Sequence, residues 1–305
     1  MTSRTDPPTL FIVGAPRSGT TLLYRCLALH PDAGWISNYH SRLPRFWPVA
    51  ALNRATRHTP DWRYAAWFGP AGDAAYRYGS PRARWERAYP QPVEGEAVFA
   101  ACGIPAVWRG EPVTARQRRL APLLARTLRA GGGEVLVSKR IGHNRRIPLL
   151  DSLLPGSRFV EVVRDGRDVV DSLLAVDWWP QAELWWWGLG ATPADWVAAG
   201  RAPEEAAAEH WLAETSALRE GMRGIPKDRV LRIRYEDLVA SPGPTVAVVA
   251  GFAGLDPGAG TWQEALAAID FRSRKHTPSG DEPTPGRRAA LALLAPRLRE
   301  EGYPL

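Results

Sequence analysis

The stretch GAPRSGTT, Gly14 to Thr21, combines residue types that can cradle an anion. Gly14 and Gly19 let a backbone wrap closely around a ligand. Amides at the start of a following helix would point at that ligand, and the helix dipole favours negative charge there. The spacing of Gly14, Gly19, Thr20 and Thr21 is that of a nucleotide-binding P-loop except at one position. Thr20 stands where a P-loop carries lysine before its Ser/Thr, and a cation sits inside the loop instead, as Arg17. Losing the lysine that holds the β- and γ-phosphates argues against ordinary nucleoside triphosphate chemistry. A second candidate lies in VVRDGRDVVDS, where Arg164 ends a strand and Ser172 falls about two turns into the next helix. One cradle for a phosphate-like group and a separate Arg/Ser pair suit a nucleotide phosphorylated at two places.

These residues need a scaffold, and the pattern of the chain predicts one. Leu10 to Val13 reads as a short buried strand, and Thr21 to Leu29 as a helix with an apolar stripe stopped at Pro31. Further strands are expected at Ala33 to Asn38, Glu134 to Ser138, Arg158 to Val163 and Val230 to Arg234. Helices are expected at Thr114 to Arg129, Ile147 to Leu154, from RDGRDVVDSLL, at Pro203 to Arg223, and from RYEDL onward. Strands alternating with helices in this way give an α/β fold, a three-layer α/β/α sandwich with a central parallel sheet of the P-loop NTPase-like kind. Ligands in such folds sit beyond the carboxyl ends of the strands, where both candidate sites fall. The reading is one domain over residues 1–305. Helical and irregular insertions over the ligand end are expected at 44–109 and 177–196.

The 305 residues carry 39 basic and 32 acidic side chains, a net charge of +7 that suits an anionic ligand without selecting one. Cys26 and Cys102 lack metal-ligand spacing and read as packing residues in a reducing compartment. The opening MTSRTDPPT lacks the layout of a signal peptide, and no apolar run approaches a membrane span, so a cytoplasmic protein is expected. No basic run interleaved with aromatics forms a nucleic-acid reader.

With these motifs in view, the sequence resembles the sulfotransferases that use 3′-phosphoadenosine-5′-phosphosulfate (PAPS), nearest the bacterial branch that includes tyrosylprotein sulfotransferase-like enzymes. GAPRSGTT looks like their 5′-phosphosulfate loop and VVRDGRDVVDS like their 3′-phosphate motif. The likeness continues through VSKR, RIPLLDSLLPGSRF and RYEDL. By that resemblance Arg17, Ser18, Gly19, Thr20 and Thr21 would hold the 5′-phosphosulfate, Arg164 and Ser172 the 3′-phosphate, and Tyr235 would lie near the nucleotide. Lys139, one of three lysines, falls where the family places a lysine reaching the transferring group. PAPS is then the expected co-substrate, with no metal. The acceptor would be a hydroxyl, or an amine, of a small molecule, glycolipid or natural product.

Related enzymes often carry a glutamate after the second strand, whereas ISNYHSR places Ser37 and Asn38 there. The candidates for general base are Glu96, then His40, with His143 in the loop after Lys139. Glu94 is set behind Glu96 because it falls in the looser PVEG turn. The indoles of Trp178, Trp179, Trp185, Trp186, Trp187 and Trp196 could line an acceptor pocket, pack a lid onto the core, or both. The alternative is a P-loop kinase or NTPase-like protein, which would ask Asp165 to serve Mg²⁺.

Overall fold

The computed structural model describes residues 8–69, 72, 84–131, 133–271 and 282–304. Most of the N-terminal stretch, and 70, 71 and 73–83 of the expected insertion, lie outside the described residues.

Five parallel strands form one sheet in the order β2-β3-β1-β4-β5. They are β1 (Thr9–Val13), β2 (Ala33–Gly34), β3 (Val135–Lys139), β4 (Arg158–Val163) and β5 (Val230–Arg234). The strand that leads into the glycine loop is therefore central. Its side chains alternate between two cores, as the period of two requires. Leu10 and Ile12 pack with Leu23 and Leu27 of the helix Thr20–Ala28 and with Val246 and Val249 of the helix Pro242–Ala253. Phe11 and Val13 face Leu149 and Leu150 of the helix Ile147–Leu153, and Leu218 of the helix Pro203–Met222. Helices thus cover both faces, which is why the central β1 is apolar at every position after Thr9.

A third core lies beside the sheet's ligand end. Val169, Val170 and Leu173 of the helix Gly166–Leu174 meet Trp179, Leu184, Trp196 and Trp211, and Leu294 and Leu298 of the helix Pro285–Glu300. The tryptophan-rich segment is thus packed in part, with Trp179 and Trp196 buried and Trp178 half exposed.

The expected strand Ala33–Asn38 stops at Gly34. Beyond it the chain leaves the sheet and runs antiparallel to a distant segment: Val93 N donates to Ile36 O, and Ser37 bridges Pro92. Ser37 then caps the helix Asn38–Arg42 by accepting from His40 N, so its hydroxyl turns the chain at that point. The RYEDL region also differs, forming a short helix Tyr235–Ala240 that breaks at Ser241 before Pro242 restarts the next. Among the described residues, no helix is long and apolar enough to cross a membrane.

Gly14 is where the sheet and the loop meet most closely. Its φ is +155°, and a Cβ there would lie 2.6 Å from the carbonyl oxygen of Val162 in β4, a backbone atom with no rotamer to escape through. Gly14→Ala should lose about 1–3 kcal/mol of stability, measured as a lower denaturant midpoint at unchanged slope. An unchanged midpoint would show that the loop shifts freely.

Candidate active site

The glycine loop leaves β1 and returns as the helix Thr20–Ala28, whose N-cap is Gly19 with φ +84° and which no side chain caps. Arg17 has φ +68°, a left-handed backbone that disfavours a residue with a Cβ by roughly 1–2 kcal/mol. Two of the other sequence candidates hold it there. Arg164 donates from Nη1 to the Arg17 carbonyl oxygen at 2.8 Å, and Arg17 donates from Nε to Ser172 Oγ at 2.9 Å. The two anion motifs, some 150 residues apart in sequence, therefore meet at one place. Tyr235 closes the other side: its ring lies 4.3 Å from the Arg164 guanidinium, and any Cβ at Gly19 would clash with it.

Ser18 is buried in the same loop, and its hydroxyl has no hydrogen-bond partner among the described residues. A buried hydroxyl left unpaired is costly. An anion seated in the loop would supply the missing acceptor, so the loop's chemistry fits a phosphate-like group. Thr20 is buried behind it and Thr21 half exposed.

Lys139 ends β3 in register with Ile12, beside the start of the loop. Its ammonium forms an ion pair with Glu94. Glu96 is bound by two guanidinium groups: Arg140 Nε lies at 2.5 Å, and Arg146 reaches both carboxylate oxygens at 3.1 and 3.3 Å. Arg146 is fully buried and also donates to Pro105 O and to His143 Nδ1. With Nδ1 accepting, His143 Nε2 carries the proton for Ser138 Oγ at 3.0 Å. That ring is wedged between Phe11 and Phe99, and burial, then the charges of Arg146, Arg140 and Lys139, push its pKa well below the usual value. His40 is buried with neither ring nitrogen hydrogen-bonded among the described residues, and desolvation lowers its pKa to about 4. Of the three expected bases, two are buried imidazoles and the third holds up two arginines.

Two residues that sequence reasoning passed over tie the site together. Asn144 clasps Gly14, its Oδ1 accepting from Gly14 N at 3.2 Å and its Nδ2 donating to Gly14 O at 3.0 Å. The same Nδ2 donates to Glu214 Oε2 at 2.7 Å, while Arg145 and the Trp185 indole donate to Glu214 Oε1 at 2.6 and 2.8 Å. Glu214 is completely buried. A signal for it exists in the sequence: Ala207, Trp211 and Leu218 are buried on one face of their helix, and Glu214 interrupts that stripe at helical spacing.

A parallel sheet whose middle strand runs through a glycine loop into a helix defines a P-loop-like α/β protein, a class in which ligands sit beyond the strand ends. Within that class the chain belongs to the sulfotransferase family, whose model matches residues 8–257, and it is an enzyme of sulfuryl transfer. Solved structures of similar fold include sulfotransferase STF9 from Mycobacterium avium, with a TM-score of 0.58 at 14% identity over 99% of this chain and 79% of that one. The sulfotransferase domain from the curacin biosynthetic pathway gives 0.51 at 15% identity, covering 99% of each chain. Sulfotransferase STF1 from Mycobacterium tuberculosis H37Rv gives 0.51 at 18% identity, over 87% and 71%. At these identities the likeness is one of fold. No curated protein sequence matches the chain significantly.

The buried imidazoles set an acid limit on stability. His30, His40, His143 and His210 all have pKa values lowered, first of all by desolvation. Above about pH 6.5 they are neutral in both states, and below it the unfolded chain takes up protons that the folded chain refuses. Stability should therefore fall as pH drops from about 6.5 toward 4, with His40 alone contributing on the order of 3 kcal/mol. Denaturant midpoints across that range check this, and a flat profile would show that the rings find proton acceptors.

Proposed function

We propose that the protein transfers a sulfuryl group from PAPS to a hydroxyl of a small-molecule, glycolipid or natural-product acceptor. The observation that carries this reading is the convergence of Arg17, Ser172 and Arg164 beside the unpaired hydroxyl of Ser18. Ser18, Gly19, Thr20 and Thr21 would take the 5′-phosphosulfate on loop and helix amides, where the dipole favours it. Arg164 and Ser172 would take the 3′-phosphate, with Tyr235 bounding the nucleotide. Arg17 reaches from one group to the other. In-line transfer leaves negative charge on the departing 5′-phosphate oxygen, and Arg17 and Lys139 would neutralise it by preorganised electrostatics. The segments 44–109 and 177–196 would supply the acceptor side.

The kinase-like alternative asks Asp165 to serve Mg²⁺. Asp165 instead binds Arg167 through both carboxylate oxygens, at 2.6 to 3.1 Å, and caps the helix that follows. That engagement favours the sulfotransferase reading.

Mass spectrometry after incubation with PAPS and a set of hydroxylated metabolites should reveal a sulfated product, and Mg²⁺-dependent ATP hydrolysis would contradict the reading. In calorimetry, Arg164→Ala should weaken binding of adenosine 3′,5′-bisphosphate by about one to two orders of magnitude. AMP binding, which would feel only the released Arg17 carbonyl, should weaken by a clearly smaller factor. Equal weakening of both ligands would mean that Arg164 serves only to hold the Arg17 carbonyl. Lys139→Ala should lower kcat by about 10²–10³, far more than it raises the PAPS KM. An unchanged kcat would reduce Lys139 to a strand-end residue.

A further inference from the structure

We propose that Glu94 is the general base that takes the acceptor's proton, an inference that rests on the sulfuryl-transfer reading above. The sequence lacks a carboxylate after β2, where Ser37 and Asn38 stand. The fold brings one in from elsewhere. The backbone of residues 91–93 is hydrogen-bonded alongside residues 36–38: Asn38 N donates to Gln91 O, Gln91 N donates to Asn38 Oδ1, and Val93 N donates to Ile36 O. The residue that follows this paired stretch is Glu94, and its carboxylate lies on the Lys139 ammonium. A carboxylate thus arrives beside the lysine expected to reach the sulfuryl group, by a route of some sixty residues from the vacated position.

Two properties separate Glu94 from Glu96. The first is what each carboxylate supports. Protonating Glu96 would strand Arg146, a guanidinium with no exposed surface, and removing the partner of a buried charge is strongly destabilising. Glu94 meets Lys139 and, more distantly, Arg140 at 3.7 Å. The second property is access. The Glu94 side chain is 43% exposed while that of Lys139 is 6% exposed, so an acceptor can approach the carboxylate from solvent with the ammonium behind it.

The step balances. The acceptor oxygen forms a bond to sulfur as its proton passes to a Glu94 carboxylate oxygen. The bond from sulfur to the bridging oxygen breaks, and its electron pair stays on the 5′-phosphate of adenosine 3′,5′-bisphosphate. The protonated Glu94 returns its proton to solvent, toward which it is open. Glu96 acts as a positioning residue: by holding Arg140 and Arg146 it fixes the loop that carries His143 and Asn144.

The test compares Glu94→Gln, Glu96→Gln and the wild type in transfer from radiolabelled PAPS to two probe acceptors, 2-naphthol and the more acidic 4-nitrophenol. For Glu94→Gln the kcat with 2-naphthol should fall by at least about tenfold at an unchanged PAPS KM, the usual scale of a lost base. With 4-nitrophenol, assayed at a pH above its own pKa so that it is largely ionised, the loss should shrink to less than about threefold, because little proton remains to be taken. Binding of adenosine 3′,5′-bisphosphate, measured separately by calorimetry, should be unchanged or tighter, since Lys139 is freed. Glu96→Gln should lower the melting temperature and depress transfer to both acceptors equally. An equal loss with both acceptors for Glu94→Gln, or no loss with either, would overturn the proposal while leaving the donor reading intact. A wild type that fails to bind the bisphosphate would overturn the donor reading, and the proposal with it.

Discussion

The buried carboxylate of Glu214 is the constraint on which the site depends. A carboxylate with no exposed surface is tolerable only if its oxygens are fully hydrogen-bonded. Here they receive Asn144 and Arg145 from the turn after β3 and the Trp185 indole from the tryptophan-rich segment. Satisfying that one charge joins the long helix to the tryptophan-rich segment and to the loop after β3. It also orients Asn144, whose amide engages both backbone polar groups of Gly14. The glycine loop therefore starts from a fixed point, and everything beyond it, from the Arg17 carbonyl to the capless helix, inherits that position.

The second layer of organisation is electrostatic. Arg17 is held in an unfavourable backbone conformation by a bond from Arg164, and its own guanidinium donates to a neutral hydroxyl. A phosphate offered to the same groups would exchange a neutral acceptor for a charged one, and hydrogen bonds to charged partners contribute roughly 1.5–3 kcal/mol against about 1 for neutral ones. Lys139 and Arg164 already face carboxylates, those of Glu94 and, at 3.7 Å, Asp168, so an anion would share these cations with resident acidic groups. At the end of β3, Glu96 and Arg146 satisfy each other, which suits them to support and leaves Glu94 at the open edge.

The sequence was most readable where chemistry is local. GAPRSGTT sits between a short apolar strand and a helix, and the strands Arg158–Val163 and Val230–Arg234 occur over the residues that their apolar, β-branched runs predict. Arg164 and Ser172 are legible because β4 runs through Arg164 straight into the helix that carries Ser172. Contacts between distant segments left no such trace. The pairing of 36–38 with 91–93 ends β2 early and lifts Glu94 toward Lys139, yet nothing in the PVEG turn distinguishes Glu94 from a solvated glutamate. Glu96 was the more attractive residue because it opens a helix, and that helix instead presents it to Arg140 and Arg146. Asn144 was hidden for the same reason: its partners Gly14 and Glu214 lie 130 and 70 residues away.

The most direct measurement is a crystal structure with adenosine 3′,5′-bisphosphate bound. The account predicts the 5′-phosphate on Ser18 and the first-turn amides of the helix Thr20–Ala28, and the 3′-phosphate between Arg164 and Ser172. The bond from Arg17 Nε to Ser172 Oγ would be given up to the ligand. A nucleotide bound with its 3′-phosphate in solvent and that bond intact would contradict it.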